Sequence, residues 1–166
     1  MAIVLAVPIL GLMVILQSAI FSQVQLLYGT TDLVLLIVVA WAVQDKVTTA
    51  WHWGVIAGVL ASLATAVPAI AIIPTYVAVT GVALYIRRIF WQRPLLAMVT
   101  ATLLATLISQ IITVGVLVFN GSSIPLIEAF YLITIPSALL NLLLAVPVYA
   151  VIGDLASWLY PETIEI

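Results

Sequence analysis

The chain of 166 residues is too apolar for a water-soluble protein, since 66% of its residues are hydrophobic, only 6% are charged, and its formal net charge is -2. So few charged residues cannot form a surface that faces water, which excludes a soluble globular domain. Because each spanning helix needs about 20 apolar residues, the length allows about five or six spans. We therefore expect an integral membrane protein with a single transmembrane helical domain over residues 1–166.

Six apolar segments follow one another along the chain and predict a bundle of six transmembrane helices. They cover about residues 2–22, 31–44, 51–67, 75–90, 94–119 and 125–160. The first has no signal-peptide cleavage site and is expected to remain as a helix. Pro68 and Pro74 are expected to bracket the turn before the fourth. The last segment is too long for one straight span, and kinks are expected at Pro136 and Pro147.

The start of the second segment resembles a helix N-terminus. Thr31 can cap a helix, and Asp32 in the first turn would favour the positive end of the helix dipole. At 1.5 Å per residue this segment is only about 20 Å long, shorter than a bilayer core. It is expected either to extend towards Thr48 or to pack at the centre of the bundle, where the membrane is locally thin.

The basic residues predict the orientation of the bundle. Lys46 follows the second span, and Arg87, Arg88 and Arg93 surround the turn after the fourth. All four then lie on one side, and the positive-inside rule places that side, with both chain termini, in the cytoplasm. The arginine turn, interleaved with aromatic residues, is expected to contact anionic lipid or a cytoplasmic partner.

The sequence carries no catalytic constellation. Its charged residues lie near the predicted helix ends, whereas a membrane enzyme or pump usually needs ionisable groups within its spans. His52 lies between Trp51 and Trp53 and has no Cys or carboxylate at ligand spacing, which favours an interfacial aromatic anchor over a metal site. We therefore expect no catalytic residues, no cofactor and no metal.

Two features concern helix packing. Gly54, Gly58 and Ser62 recur every four residues on the third span and form a smooth stripe, which serves close packing either within the bundle or against another protein. Asn141 lies in the middle of the last span, where a buried amide needs a partner such as Ser109, Gln110 or a carbonyl freed by proline. Its role is structural, or it belongs to a substrate site.

Several short motifs together resemble the bacterial rod shape-determining protein MreD family. Leu16-Gln17-Ser18 resembles the Leu-Gln-Ser late in that family's first span, and Thr31-Asp32-Leu33 resembles its Pro-Asp-Leu, with Thr in place of Pro. The run from Gly54 to Ser62 resembles its Gly-Phe-x-x-Gly-Leu segment, although Ser62 stands where the family often has an acidic residue. The basic turn after span four, and Asn141 ahead of Pro147, also fit.

The resemblance implies a non-catalytic subunit of the cell-elongation complex in the bacterial inner membrane, a multi-pass protein that helps to organise peptidoglycan synthesis. Its expected partner is the bitopic protein MreC, with RodA, a class B penicillin-binding protein and the MreB cytoskeleton reached indirectly. The bilayer is the other expected partner, and nucleic acid is not expected.

The alternative is the substrate-binding subunit of an energy-coupling-factor vitamin transporter, a six-helix protein whose fold the MreD family is thought to share. A vitamin binder needs converging polar and aromatic groups on its outward side. The outward loops offer little beyond Tyr28, Asp32, Asn120 and Glu128, so we expect no tight binding of a small metabolite.

Overall fold

A computed structural model of the protein describes residues 2–19, 25–26, 28–65, 67–121 and 125–161, most of them helical. The elements in chain order are α1 (Ala2–Ala19), β1 (Gln25–Leu26), β2 (Gly29–Thr30), α2 (Leu33–Val43), α3 (Ala50–Leu63), α4 (Ala69–Ile89), α5 (Pro94–Phe119), α6 (Leu126–Ala129), a π-helical turn (Phe130–Thr134) and α7 (Ile135–Leu159). The strands β1 and β2 form a small antiparallel hairpin within the predicted loop after the first span.

Among the described residues, four helical segments are long and apolar enough to cross a membrane. They are α1, α4, α5 and the continuous run Ile127–Leu159, whereas α2 and α3 are shorter apolar helices. The protein is thus a helical membrane protein. The bounds of α5 agree with the prediction, but α4 begins at Ala69 and contains Pro74, which was wrongly expected in the preceding turn.

The short helix α2 lies at the centre of the bundle. All eleven of its residues are buried, and it packs against α1, α3, α4, α5 and α7. Its length of about 16 Å follows from 1.5 Å per residue. Of the two alternatives for this segment, the structure therefore shows central packing, because α2 ends at Val43 instead of continuing towards Thr48.

Two tryptophans join α2 to α3 inside the bundle. The rings of Trp41 and Trp53 are stacked, with centroids 4.2 Å apart, and both side chains are fully buried. The Trp53 indole Nε1 donates a hydrogen bond of 3.1 Å to the Ala2 carbonyl. The prediction of an interfacial anchor is therefore wrong for Trp53, while Trp51 and His52 are exposed.

The basic residues meet at one end of the bundle. The Arg87 guanidinium Nη1 donates to the carbonyl oxygens of Ala42, Gln44 and Val47, at 3.2, 2.8 and 3.3 Å. The Ala42 carbonyl lies in the last turn of α2 and the other two follow it, and the Gln44 carbonyl also accepts the Val47 amide at 3.2 Å. Arg87 therefore stabilises the negative end of that helix. Of the three arginines, Arg88 and Arg93 are exposed, and their contact with anionic lipid stays a prediction.

Both ends of the described chain lie at this basic end. Ala2 contacts Trp53 near the start of α3, and the Tyr160 hydroxyl lies 3.1 Å from the Thr49 hydroxyl just before α3. The loops that contain Lys46 and the arginines therefore share one end of the bundle with residues 2 and 160.

Candidate binding cavity

The chain segment from Tyr28 to Asp32 lies along the last helix and is held there by alternate backbone amides. The three hydrogen bonds run from Tyr28 N to Leu132 O at 3.1 Å, from Thr30 N to Ser137 Oγ at 3.1 Å, and from Asp32 N to Asn141 Oδ1 at 2.9 Å. Two residues of extended chain advance about 6.6 Å, and four to five helical residues rise about 6 to 7.5 Å. The two repeats match, so each second amide of the segment meets a new acceptor on the helix.

Pro136 leaves the first of these acceptors, the Leu132 carbonyl, without a helical partner. Proline has no N–H to offer the carbonyl of Leu132 four residues earlier, and a π-helical turn immediately precedes α7. The freed Leu132 carbonyl accepts the Tyr28 amide instead. A π-helical turn thus lies directly before Pro136, and α7 continues through Pro147 to Leu159; the kinks at the two prolines stay predictions.

Gly29 allows the segment to approach the helix closely. A Cβ atom at this position would lie 2.6 Å from both the Pro136 Cβ and the Ser137 backbone nitrogen. No side chain fits into that space. Glycine is therefore required by the contact between β2 and the start of α7.

Asp32 caps α2 at the end of this segment. Its carboxylate accepts the Leu35 amide at 3.0 Å and the Tyr76 hydroxyl at 3.2 Å from each oxygen. Next to it, Gln17 Oε1 accepts the Val34 amide at 3.3 Å. The sequence pointed to Thr31 as the cap, and the structure shows that the cap is Asp32. Asp32 thus lies at a helix end, as expected of the charged residues, but it is partly buried.

Asn141 connects the same cluster to α5. While its Oδ1 accepts the Asp32 amide, its Nδ2 donates to Thr106 Oγ1 at 2.9 Å. Both Asn141 and Thr106 are buried. The expected partners Ser109 and Gln110 lie nearby on α5 but do not bond to Asn141, so the amide has different partners from those predicted.

These residues line a cavity of about 460 Å³ at the end of the bundle opposite the arginines. Nineteen described residues line it, and twelve of them have polar side chains, an unusual share for the interior of so apolar a bundle. The polar residues are Gln17, Ser18, Thr30, Thr31, Asp32, Thr65, Tyr76, Thr106, Ser109, Gln110, Thr113 and Asn141. Ser18, Thr30 and Thr65 are exposed and mark the mouth of the cavity.

The structure brings together some predicted site residues and separates others. Gln17, Ser18, Asp32 and Asn141 all line the cavity. The cavity contradicts the expectation that this side offers few polar groups, because eight of its twelve polar side chains among the described residues come from the helices α1, α4, α5 and α7. One signal was readable in the sequence: Thr106, Ser109, Gln110 and Thr113 have the i, i+3, i+4, i+7 spacing of a single helix face.

The glycine stripe of α3 lies elsewhere and packs against α4. A Cβ at Gly58 would lie 2.9 Å from the Ile73 Cα, and one at Gly54 would overlap the Thr80 hydroxyl. The Ser62 hydroxyl donates to the Val59 carbonyl of its own helix at 2.7 Å. For the two glycines, the alternative of packing within the bundle is therefore the one observed.

No known family, curated protein or solved structure matches the chain in the comparisons with known proteins. The geometry of the cavity and of the bundle therefore carries the functional argument.

Proposed function

We propose that the protein is a non-catalytic membrane subunit of the bacterial cell-elongation complex, as its resemblance to the MreD family implies. One observation carries the proposal. Gln17 and Asp32 belong to separate short motifs of that resemblance, and they lie on adjacent walls of one cavity together with Asn141, a third motif position. The juxtaposition of these three motif positions supports the proposal, whereas the glycines of the motif from Gly54 to Ser62 pack against α4.

The proposed orientation is six spans with both termini in the cytoplasm of a bacterial inner membrane. It is supported by the position of all four basic residues at the same end as residues 2 and 160. In this orientation the cavity opens on the outer side, where the periplasmic part of an MreC-like partner would lie.

The experiment is affinity purification at native expression from a bacterial membrane, followed by identification of the co-purified proteins. We expect an MreC-like single-span protein, with RodA, a class B penicillin-binding protein and MreB recovered less directly. An Arg93→Gln variant is the matched control, because this exposed side chain at the opposite end should not alter recovery. Recovery of transporter ATPases instead would contradict the assignment to the elongation complex.

A second candidate function is favoured by the polar cavity itself. Its size lies within the range of small-molecule sites, about 300 to 1,000 Å³, and its wall combines apolar side chains with converging polar groups. These features support the substrate-binding subunit of an energy-coupling-factor transporter. Sub-micromolar binding of thiamine or riboflavin to the purified protein would favour this function, and absence of such binding would leave the cell-elongation proposal.

A further inference from the structure

The α5 wall of the cavity presents polar groups that the fold does not use. Ser109, Gln110 and Thr113 are partly buried and make no side-chain hydrogen bond with any described residue. In an apolar bundle, an unpaired hydroxyl or amide costs up to several kcal/mol unless water or a ligand satisfies it. Three such groups on one helix face provide donors and acceptors for a molecule in the cavity.

The charge of the cavity wall determines whether a cationic or an anionic molecule is favoured there. Asp32 is the only charged residue among the nineteen that line the cavity, and the basic residues lie at the far end of α2. The positive end of the α2 dipole offsets about half an elementary charge. Since Asp32 has no basic partner in the cavity wall, a cationic ligand would be attracted there and an anionic one repelled.

We propose that the cavity binds a small hydroxylated amine, with the ammonium group near Asp32 and the hydroxyl groups hydrogen-bonded to the polar face of α5. The inference deepens the second candidate function and rests on the cavity being a ligand site. It does not depend on the partner of the protein, which co-purification tests separately. The amine is either a soluble molecule or the head group of a lipid, because both have the same chemistry at the mouth of the cavity.

The test uses three probes that share one sugar ring and differ in charge: glucosamine, N-acetylglucosamine and glucosamine 6-phosphate. Binding is measured by calorimetry or ligand-observed NMR on the full chain in phosphatidylcholine nanodiscs. We expect glucosamine to bind about tenfold more tightly than the neutral analogue, which corresponds to about 1.4 kcal/mol, and the phosphate to bind most weakly. Competition by a diacylglycerol glycolipid with a glucosamine head group would assign the amine to a lipid, and its absence to a soluble molecule.

Two variants locate the binding. Asp32→Asn should abolish the preference for the cation, and Gln110→Leu should weaken the binding of glucosamine and of its neutral analogue alike. The Gln110 side chain makes no hydrogen bond with any described residue, so the Gln110→Leu protein should fold. It therefore tests the proposal even if the Asp32→Asn protein, which loses the helix cap, does not fold. Arg93→Gln should bind like the parent. The proposal is overturned if glucosamine shows no saturable binding up to about 10 mM, or if it binds equally well to parent and Gln110→Leu.

Discussion

Gly29→Ala provides the sharpest test of the contact between β2 and α7. The added methyl group would lie 2.6 Å from the Pro136 Cβ and the Ser137 nitrogen, and neither is the end of a flexible side chain that could move aside. Overpacking of this kind costs about 1 to 3 kcal/mol. For a chain of this size, about 2 to 4 °C is lost per kcal/mol, so the melting temperature should fall by about 2 to 12 °C.

The assay is thermal unfolding in nanodiscs, followed by tryptophan fluorescence, since Trp41 and Trp53 form a buried stacked pair. Gly115→Ala is the matched control, because no atom of another element lies within 4 Å of the added methyl group. Alanine is also the better helix former, so this variant should be as stable as the parent or slightly more stable. A Gly29→Ala protein that melts with the parent would show that the segment does not lie against α7 as described.

Two further predictions concern the hydrogen bonds at the two ends of the bundle. Asn141→Leu removes the acceptor of the Asp32 amide and the donor to Thr106. It should lower the free energy of unfolding by about 1 to 3 kcal/mol. A double-mutant cycle with Thr106→Val should give a coupling energy of about 0.6 kcal/mol or more. Additive effects of the two substitutions would contradict the bond. Arg87→Gln removes the contacts of the guanidinium with the carbonyls and should destabilise the protein by about 1.5 to 3 kcal/mol. Arg88→Gln, at the exposed neighbour, should change the stability by less than about 0.5 kcal/mol. Equal effects of the two arginine substitutions, measured by denaturant unfolding, would refute the capping role.

The helices were largely predictable because apolar length is a strong signal. Pro94 at the first helical position and the polar Asn120 after the last one give α5 clear bounds, and the prediction agreed with them. Pro74 misled the prediction for α4, because proline is tolerated inside membrane helices as well as in turns. The hairpin had no periodic signal, because each of its strands is only two residues long.

Individual residues of the candidate site were predictable from the sequence, but their meeting at one cavity was not. Gln17, Asp32 and Asn141 were each singled out, yet their meeting depends on the path of the segment from Tyr28 to Asp32 along α7. That path follows from a missing amide at Pro136 and a missing side chain at Gly29, and absences of this kind carry little weight in a sequence pattern.

The role of Arg87 was obscured for a related reason. A cluster of arginines after a span indicates a cytoplasmic turn, but it does not show which guanidinium turns inward. Arg87 donates to the Ala42 and Gln44 carbonyls at the end of α2, a helix of only eleven residues. The shortness of α2 was visible in the sequence. Its last carbonyls need hydrogen-bond donors, and this need explains why Arg87 points towards the end of α2.

The most direct measurement of the central claim is cysteine cross-linking between the segment and the last helix, because both functional proposals depend on this contact. The chain has no cysteine, so a Tyr28→Cys, Leu132→Cys protein carries no background thiol. The Tyr28 amide lies 3.1 Å from the Leu132 carbonyl oxygen and neither side chain is fully buried, so a short bifunctional thiol reagent should join the pair efficiently in native membranes. A pair of cysteines at Thr48 and Leu132, at opposite ends of the bundle, should not cross-link. Absence of cross-linking in the first pair, or equal cross-linking in both, would contradict the account.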